Sequence, residues 1–415
     1  MDNPEIKDTL GGYELSWSDI KLRITVTKIK QHRDNRVTGW LMIYSSKKAK
    51  ERLLHQADLN FASTQTQKSL ANSLRDRYDK DYEEYEWDDI IESLRYFVLE
   101  RVRQGEPVQQ SYSDDEDIEP PTYLIHPIMP ENQPTVIFGE PGAGKSRMAQ
   151  ILYIVLTLPW YNNPLGLVAP PRPIRPLILD YESDEDTVKW RMKCLQLGLD
   201  LPPIPISYRR CLLPIADDIE AIQEAMVQVG AEALIIDSIA AAVGGDLLDI
   251  PSAMRFFTTI RQLKTTALCI GQTQKDPEKK KKTIYGAGIY EYYSRSIWEC
   301  RKAQTQGENE MHIALHHRKA NEDMLHRPYA FHIYFNESKT TVTQERAQDI
   351  PEFQQDMPIK PRMLEELGHG SLTAKELAEN IDVSGSLVSK YLTQMKAEKK
   401  VVKLANNRWG KATEE

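Results

Sequence analysis

The chain has 415 residues and a formal net charge of −8. At roughly 100–200 residues per domain, this length predicts two or three domains. The acidic balance argues against a protein that coats nucleic acid over its whole surface, although it allows a local basic groove. The first residues lack the basic start and apolar core of a signal peptide, and the longest apolar run, residues 151–160, is too short to span a bilayer. We expect a cytoplasmic protein.

Residues 1–110 are predicted to form an α+β domain of unknown role. Residues 21–27 and 39–44 have the alternation of paired strands, and residues 65–77 and 87–103 have the spacing of helices. No catalytic group is apparent in this region. An aromatic cluster is interpreted as packing, with a partner surface as the alternative: Tyr78, Tyr82, Tyr85, Trp87 and Tyr96. Residues 111–121, polar and acidic with two prolines, are predicted to be a linker.

Residues 122–345 alternate short apolar runs with helical patterns, which indicates an α/β fold with a mostly parallel sheet covered by helices on both faces. Seven strands are predicted, at residues 135–138, 177–180, 233–237, 266–270, 296–300, 312–315 and 330–334. Ligands of such sheets gather at the carboxyl ends of the strands.

The four cysteines are scattered, without metal-ligand spacing, and are expected to be buried free thiols: Cys194, Cys211, Cys269 and Cys300.

Residues 139–146 fit a phosphate-binding loop between a strand and a helix. The predicted nucleotide-binding residues are Gly139, Glu140, Pro141, Gly142, Ala143, Gly144, Lys145, Ser146 and Arg147. Glycines let backbone N–H groups point at a polyphosphate, beside the positive end of the next helix. Lys145 is expected to reach the β- and γ-phosphates, and Ser146 to ligate Mg²⁺. The loop therefore predicts ATP and Mg²⁺ as cofactors.

Two further carboxylates follow predicted strands. Asp237 ends the run 233–236 and is expected to bind Mg²⁺ through water, opposite the phosphate loop. Glu182 follows the strand 177–180 and is placed to polarise the water that attacks the γ-phosphate. Asp180 and Glu185 are alternatives for that role.

The motifs together resemble a known family. The chain resembles the RecA-like ATPases in four motifs and in their order. These are Gly-Glu-Pro-Gly-Ala-Gly-Lys-Ser at 139–146, Leu-Asp-Tyr-Glu-Ser at 179–183 with Arg191 shortly after, Ile-Ile-Asp-Ser at 235–238, and Cys-Ile-Gly-Gln-Thr-Gln-Lys at 269–275. Within these, the order is most similar to plasmid RepA-type replicative helicases, relatives of DnaB. The resemblance implies a hexameric ring, Glu182 as catalytic base, and Gln272 as a sensor of the γ-phosphate. The family often has His-His-Thr where this chain has Gly-Gln-Thr at 271–273.

Basic residues follow the predicted sensor strand. These residues are Lys275, Lys279, Lys280, Lys281 and Lys282. They occupy the place where RecA-like rings project DNA-contacting loops into the central channel. Lysines bind nucleic-acid phosphates without reading the base sequence. A solvated charge run is the alternative.

The family also implies a catalytic cation from the neighbouring subunit. Arg318 is the first candidate, with Arg295, Arg301 and Lys302 as alternatives; His316 stands where the family has Lys.

Residues 346–358 are predicted to be a linker and residues 359–415 a third domain. Helices are predicted at 362–367, 373–380 and 384–399, the second with a Thr373–Glu376 capping box, followed by a hairpin at 401–409. This resembles a winged helix-turn-helix, in which the third helix enters the DNA major groove. The implied DNA contacts are Ser386, Ser389, Lys390, Lys403 and Arg408; a protein-binding role is the alternative.

These features predict a DNA-dependent ATPase, a ring-forming helicase or translocase. The first alternative is a RadA- or KaiC-like regulator or loader that uses ATP as a switch, and the second is a P-loop kinase. The expected partners are DNA, single-stranded in the ring channel and duplex at the tail, and other copies of the chain.

Overall fold

The computed structural model describes residues 4–9, 11–32, 34–47, 50–78, 80–104, 120–274, 283–286, 288–354 and 359–412. The lysine run, from Lys275 to Lys282, and most of the predicted linker 111–121 lie outside these residues. No helix of the described ranges has the length and apolar character needed to cross a bilayer.

The N-terminal region is an antiparallel five-stranded sheet in chain order, with two helices packed on one face. Its elements are β1 (Glu5–Thr9), β2 (Gly12–Trp17), β3 (Leu22–Gln31), β4 (Val37–Ser45), β5 (Arg52–Asn60), α1 (Thr64–Tyr78) and α2 (Trp87–Gln104). The period-two burial of β3 and β4 matches the prediction for these strands. Four of the predicted aromatics are buried, whereas Tyr96 is exposed, so the cluster is largely packing.

The central sheet consists of β8 (Pro134–Gly139), β9 (Pro176–Asp180), β10 (Ser207–Arg210), β11 (Ala233–Asp237), β12 (Thr266–Gln272), β13 (Ser296–Ala303), β14 (Glu310–Ala320), β15 (Tyr329–Phe335) and β16 (Thr340–Glu345). Across the sheet, these nine strands lie in the order β10-β9-β11-β12-β8-β13-β14-β15-β16. The first six strands of this order, from β10 to β13, run parallel, and β14 to β16 are antiparallel. A short hairpin, β6 (Tyr123–Ile125) and β7 (Met129–Pro130), precedes them.

Helices cover both faces of the parallel part, which confirms the predicted α/β class. One core packs α3 (Lys145–Thr157) and α4 (Glu185–Gly198) on the sheet, and the other packs α5 (Ile219–Val229), α6 (Ile239–Val243), α7 (Ile250–Gln262) and α8 (Ile289–Tyr293). All four cysteines are buried and free, as predicted. The sequence did not predict β10 and β16, because these edge strands are mostly polar.

Residues 347–354 pack against the sheet. A short α9 (Pro351–Gln354) follows one 3₁₀ turn, and Ile350 and Phe353 are buried on small side chains of the antiparallel strands. This contact covers part of a sheet face that would otherwise be open to solvent.

The tail contains α10 (Ile359–His369), β17 (Leu372–Thr373), α11 (Ala374–Asn380), α12 (Gly385–Ala397), β18 (Val401–Lys403) and β19 (Arg408–Lys411). The capping box at Thr373 and Glu376 is formed, and the hairpin turns through residues 405–407. A core of its own, which includes Val388 and Leu392, holds these elements together.

Candidate nucleotide site

The phosphate loop is fixed by its contact with β13. Gly139 ends β8 so close to that strand that a Cβ on residue 139 would lie 2.3 Å from the carbonyl oxygen of Cys300. The buried Cys300 thiol donates a hydrogen bond to the carbonyl oxygen of Ala143, at 3.2 Å. Gly144 has a φ of 87°, a left-handed conformation that favours glycine, and places Lys145 at the start of α3. The loop backbone therefore opens at the positive end of that helix.

Lys145 lies beneath the loop. It is 9% exposed, and its Nζ donates to the carbonyl oxygens of Gly139 at 3.0 Å and Glu140 at 2.7 Å. Burial lowers the pKa of the ammonium group, while Asp237 and Glu182 are among the groups that oppose this shift. The Lys145 ammonium group therefore lies beside the loop, and the charges of two carboxylates act on it.

Ser146 and Asp237 meet at the carboxyl ends of β8 and β11. The Ser146 hydroxyl donates to the Asp237 carboxylate. Burial raises the pKa of Asp237 to about 6; the Ser146 hydrogen bond opposes this shift, and the charges of Glu182 and Asp180 add to it. A desolvated carboxylate beside a hydroxyl oxygen is a pair of hard ligands suited to Mg²⁺.

Glu182 points towards this pair from the end of β9. Its Oε1 accepts a hydrogen bond from the Ser238 hydroxyl. Asp180 holds the loop on which Glu182 stands, because its Oδ1 accepts from the N–H groups of Glu182 and Ser183, each at 2.9 Å. Asp180 is therefore engaged structurally. Glu185 forms an ion pair with Lys189 at 2.6 Å on the surface of α4, outside the cavity.

These groups surround one open cavity of about 440 Å³. The predicted residues that line it are Pro141, Gly142, Gly144, Lys145, Ser146, Arg147, Glu182, Asp237 and Gln272. Several other residues that line the cavity have no role predicted from the sequence: Arg191, Ser238, Gln304, Met311 and Phe335. Gln304, Met311 and Phe335 come from the antiparallel strands and their connections, where no local motif marks a site.

Arg147 and Arg191 bring two guanidinium groups to the same cavity. The pKa of Arg147 is lowered to about 10, first by burial and then by the charge of Arg191. Its guanidinium also lies 4.8 Å above the centroid of the Phe335 ring. Two cations that repel each other beside a glycine loop are stabilised when an anion binds between them.

Gln272 ends β12 at the rim of the cavity. Its carbonyl oxygen accepts from the N–H of Tyr285 at 2.7 Å, and Gln274 N–H donates to Thr283 at 3.0 Å. The two residues on either side of the lysine run, Gln274 and Thr283, are therefore hydrogen-bonded to each other close to Gln272.

The candidate trans cations occupy two places. Arg318 and Arg301 both bind the buried Glu299 of their own chain, Arg318 through Nε at 2.7 Å and Arg301 through Nε at 2.8 Å. Lys302 is exposed on the same strand as Arg301, and Arg295 is exposed beside Tyr292 and Tyr293. His316 is buried near both arginines of the pair, and burial lowers its pKa to about 4.

The tail residues predicted to contact DNA are mostly exposed. Ser386, Ser389 and Lys390 lie on the exposed surface of α12, and Lys403 lies near the ring of Trp409. Arg408 is different, because its guanidinium donates to the carbonyl and hydroxyl oxygens of Ser371, which attaches β19 to the connection between α10 and β17. Its role is therefore at least partly structural.

Comparison with known proteins gives one family match and a set of similar solved structures. Residues 102–278 match a family described as "AAA domain". A KaiC-like protein from the hyperthermophilic archaeon Pyrococcus horikoshii OT3 is among the similar solved structures, with 16% identity, a TM-score of 0.36 and coverage of 57% of this chain and 99% of that one. No curated protein sequence matches this chain. The matched range of the family contains the phosphate loop, Glu182, Asp237 and Gln272.

Proposed function

We propose that the chain is a DNA-dependent ATPase, a ring-forming helicase or translocase that hydrolyses ATP between its subunits. The observation that carries the proposal is the convergence of Lys145, the Ser146–Asp237 pair and Glu182 on one cavity beneath a glycine loop. A polyphosphate, a hard cation and an attacking water each have a matching group there.

The chain's own residues would act as follows. Loop N–H groups and Lys145 hold the phosphates, and the Glu182 carboxylate accepts a proton from water. The water oxygen forms a bond to the γ-phosphorus as the bond from that phosphorus to the bridging oxygen breaks, and ADP departs with that oxygen. Ser238 keeps Glu182 oriented. Arg191, which lines the cavity, would neutralise charge on the transferred group from within the same chain.

The oxygens of Ser146 and Asp237 fit Mg²⁺. Ser146 would ligate the ion directly and Asp237 through water, and bound Mg²⁺ would neutralise charge on the β- and γ-phosphates. The raised pKa of Asp237 supports this assignment, because a nearby cation would compensate the desolvated carboxylate.

One side of the cavity suits a purine base. Met311 and Phe335 offer apolar surface, and Gln304 offers an amide with both donors and an acceptor. These side chains line the same cavity as the phosphate loop, so base and phosphates would share it.

DNA would be bound where the chain responds to the γ-phosphate. Gln272 lines the cavity, and the segment from Lys275 to Lys282 starts three residues later. Gln274 and Thr283 flank this segment and are hydrogen-bonded to each other. A shift of Gln272 would therefore move both ends of the segment. The tail would add duplex contacts through Ser386, Ser389, Lys390 and Lys403, in the manner of a winged helix.

Assembly into a ring is supported by an exposed apolar surface. Leu212 and Leu213 follow β10, and Leu248, Ile250 and Met254 lie between α6 and the middle of α7. The Arg255–Asp217 ion pair joins α7 to the segment that follows β10. Such a cluster is typical of a contact between subunits. Arg318 would serve as the trans cation by exchanging Glu299 for the neighbour's γ-phosphate.

Three measurements test the proposal. We expect single-stranded DNA to stimulate ATP hydrolysis, native mass spectrometry with ATP to give a ring, and a forked duplex to be separated. ATP hydrolysis and a ring without strand separation would instead indicate an ATP-switched regulator or loader. Phosphate transfer to a small molecule without any response to DNA would refute the proposal.

A further inference from the structure

A cluster of three metal-ligating side chains lies apart from the nucleotide cavity. His126 follows β6, while Asp323 and His326 belong to the connection between β14 and β15. One ligand atom from each residue lies within 4.8 Å of the other two. The cluster joins positions that are 197 residues apart in the sequence, so the fold itself creates it.

Both imidazoles approach the same carboxylate oxygen. The Nε2 atoms of His126 and His326 lie 3.3 and 2.8 Å from the same carboxylate oxygen, Asp323 Oδ2. In a tetrahedral zinc site with bonds of about 2.0–2.1 Å, neighbouring ligand atoms lie about 3.3 Å apart. The two nitrogen-to-oxygen separations are within about half an ångström of that value, and the two nitrogen atoms lie within 4.8 Å of each other. Two imidazoles and one carboxylate are a ligand set that zinc accepts.

The surrounding groups orient these ligands. The other oxygen of Asp323, Oδ1, accepts a hydrogen bond from the Met324 N–H at 2.6 Å, which leaves Oδ2 directed at the imidazoles. The His126 ring packs edge-on against Tyr123, at 4.9 Å between centroids. The His326 ring lies 5.8 Å from His317, whose own ring stacks on Trp298 at 4.0 Å. Such secondary contacts fix ring orientation in metal sites.

A second cluster of the described residues provides a contrast. Glu310, His312 and His332 also lie close together. There, His312 Nδ1 binds Glu345 at 2.9 Å and His332 Nε2 binds Glu310 at 2.9 Å, so each imidazole has a separate carboxylate. The two histidines do not point at a common atom, and the first cluster is the better metal site.

We propose that His126, Asp323 and His326 bind a divalent transition-metal ion, with Zn²⁺ as the preferred ion and water as the fourth ligand. The ion would link the segment before the phosphate-loop strand to the β14–β15 connection. Its role is structural, since none of the three residues lines the nucleotide cavity.

The test uses the full-length chain, stripped with a chelator and titrated with zinc chloride against a chromophoric competitor. We expect one Zn²⁺ per chain. The His126→Ala and His326→Ala variants should each bind it at least about tenfold more weakly. Asp323→Asn, which keeps the side-chain shape, should weaken binding as well. His312→Ala, in the second cluster, is the matched control and should bind as the wild type does.

Thermal unfolding gives a second readout. Zinc should raise the unfolding midpoint of the wild type and of His312→Ala, and it should leave that of Asp323→Asn almost unchanged. The proposal is overturned if the wild type takes up no zinc, if the His126 and His326 variants bind as tightly as the wild type, or if His312→Ala is the variant that loses the ion.

Discussion

Replacement of Asp237 by Asn should stabilise the protein in the absence of nucleotide. The carboxylate is desolvated at the carboxyl end of β11, and its pKa is raised from 3.8 to about 6. An Asp whose pKa is higher in the folded protein than in the unfolded chain opposes folding when it is ionised. Asn has nearly the same shape and can still accept the hydrogen bond from Ser146, so the substitution removes chiefly the charge.

The size of the gain follows from the pKa. A shift of about two units corresponds to about 3 kcal/mol, which is the most that the substitution can recover at neutral pH. In the variant the hydrogen bond from Ser146 goes to a neutral acceptor and is weaker, which reduces this figure, so we expect a gain of about 1–2 kcal/mol. In a domain of about 200 residues this raises Tm by about 2–8 °C.

The pH dependence has a definite sign. The cost of the ionised carboxylate is fully present above pH 6 and disappears as the pH falls from about 6 towards 3.8, where the wild type becomes protonated. The advantage of Asp237→Asn should therefore be largest at pH 7.5 and small at pH 4.5.

The assay is thermal unfolding by calorimetry at both pH values. Asp249→Asn is the matched control, because it also removes one negative charge but from an exposed N-cap of α7, where Asn caps equally well. Millimolar MgATP should reverse the order and favour the wild type. An Asp237→Asn protein that is no more stable than the wild type at pH 7.5 would refute the desolvation argument.

Three further substitutions test other parts of the site. Gly139→Ala should lower Tm and ATP affinity, because the new Cβ would lie 2.3 Å from the Cys300 carbonyl oxygen, whereas Gly370→Ala, with open space around it, should not. Arg191→Ala should weaken ATP binding about tenfold or more, measured by calorimetric titration, while Lys189→Ala, on the same helix but outside the cavity, should bind normally. Replacing residues 279–282 by Ala should weaken single-stranded DNA binding and lower its salt slope by about 0.7 per lost contact, and unchanged binding would refute the channel-loop role.

The phosphate loop and the sheet could be predicted from the sequence because their signals are local. The glycine pattern at 139–146 and the apolar strands that precede Asp180 and Asp237 depend on neighbouring residues alone. The position of Glu182 in the cavity also follows, since carboxyl ends of parallel strands meet at one edge.

Other parts depend on contacts between distant segments. The pairing of Arg318 and Arg301 with Glu299 requires the register of β13 with β14, which no local pattern specifies. The edge strands β10 and β16 lack an apolar run, so periodicity does not reveal them. Phe335 enters the cavity only because β15 lies beside β14.

The proposed mechanism requires Glu182 to activate water in a cavity that binds ATP through other residues. Phosphate release under single-turnover conditions, with ATP binding measured in parallel, tests it directly. Glu182→Gln should bind ATP within about threefold of the wild type and hydrolyse it at least about a hundredfold more slowly, whereas Glu185→Gln, on the surface of α4, should behave as the wild type. Hydrolysis by Glu182→Gln at the wild-type rate would contradict the assignment.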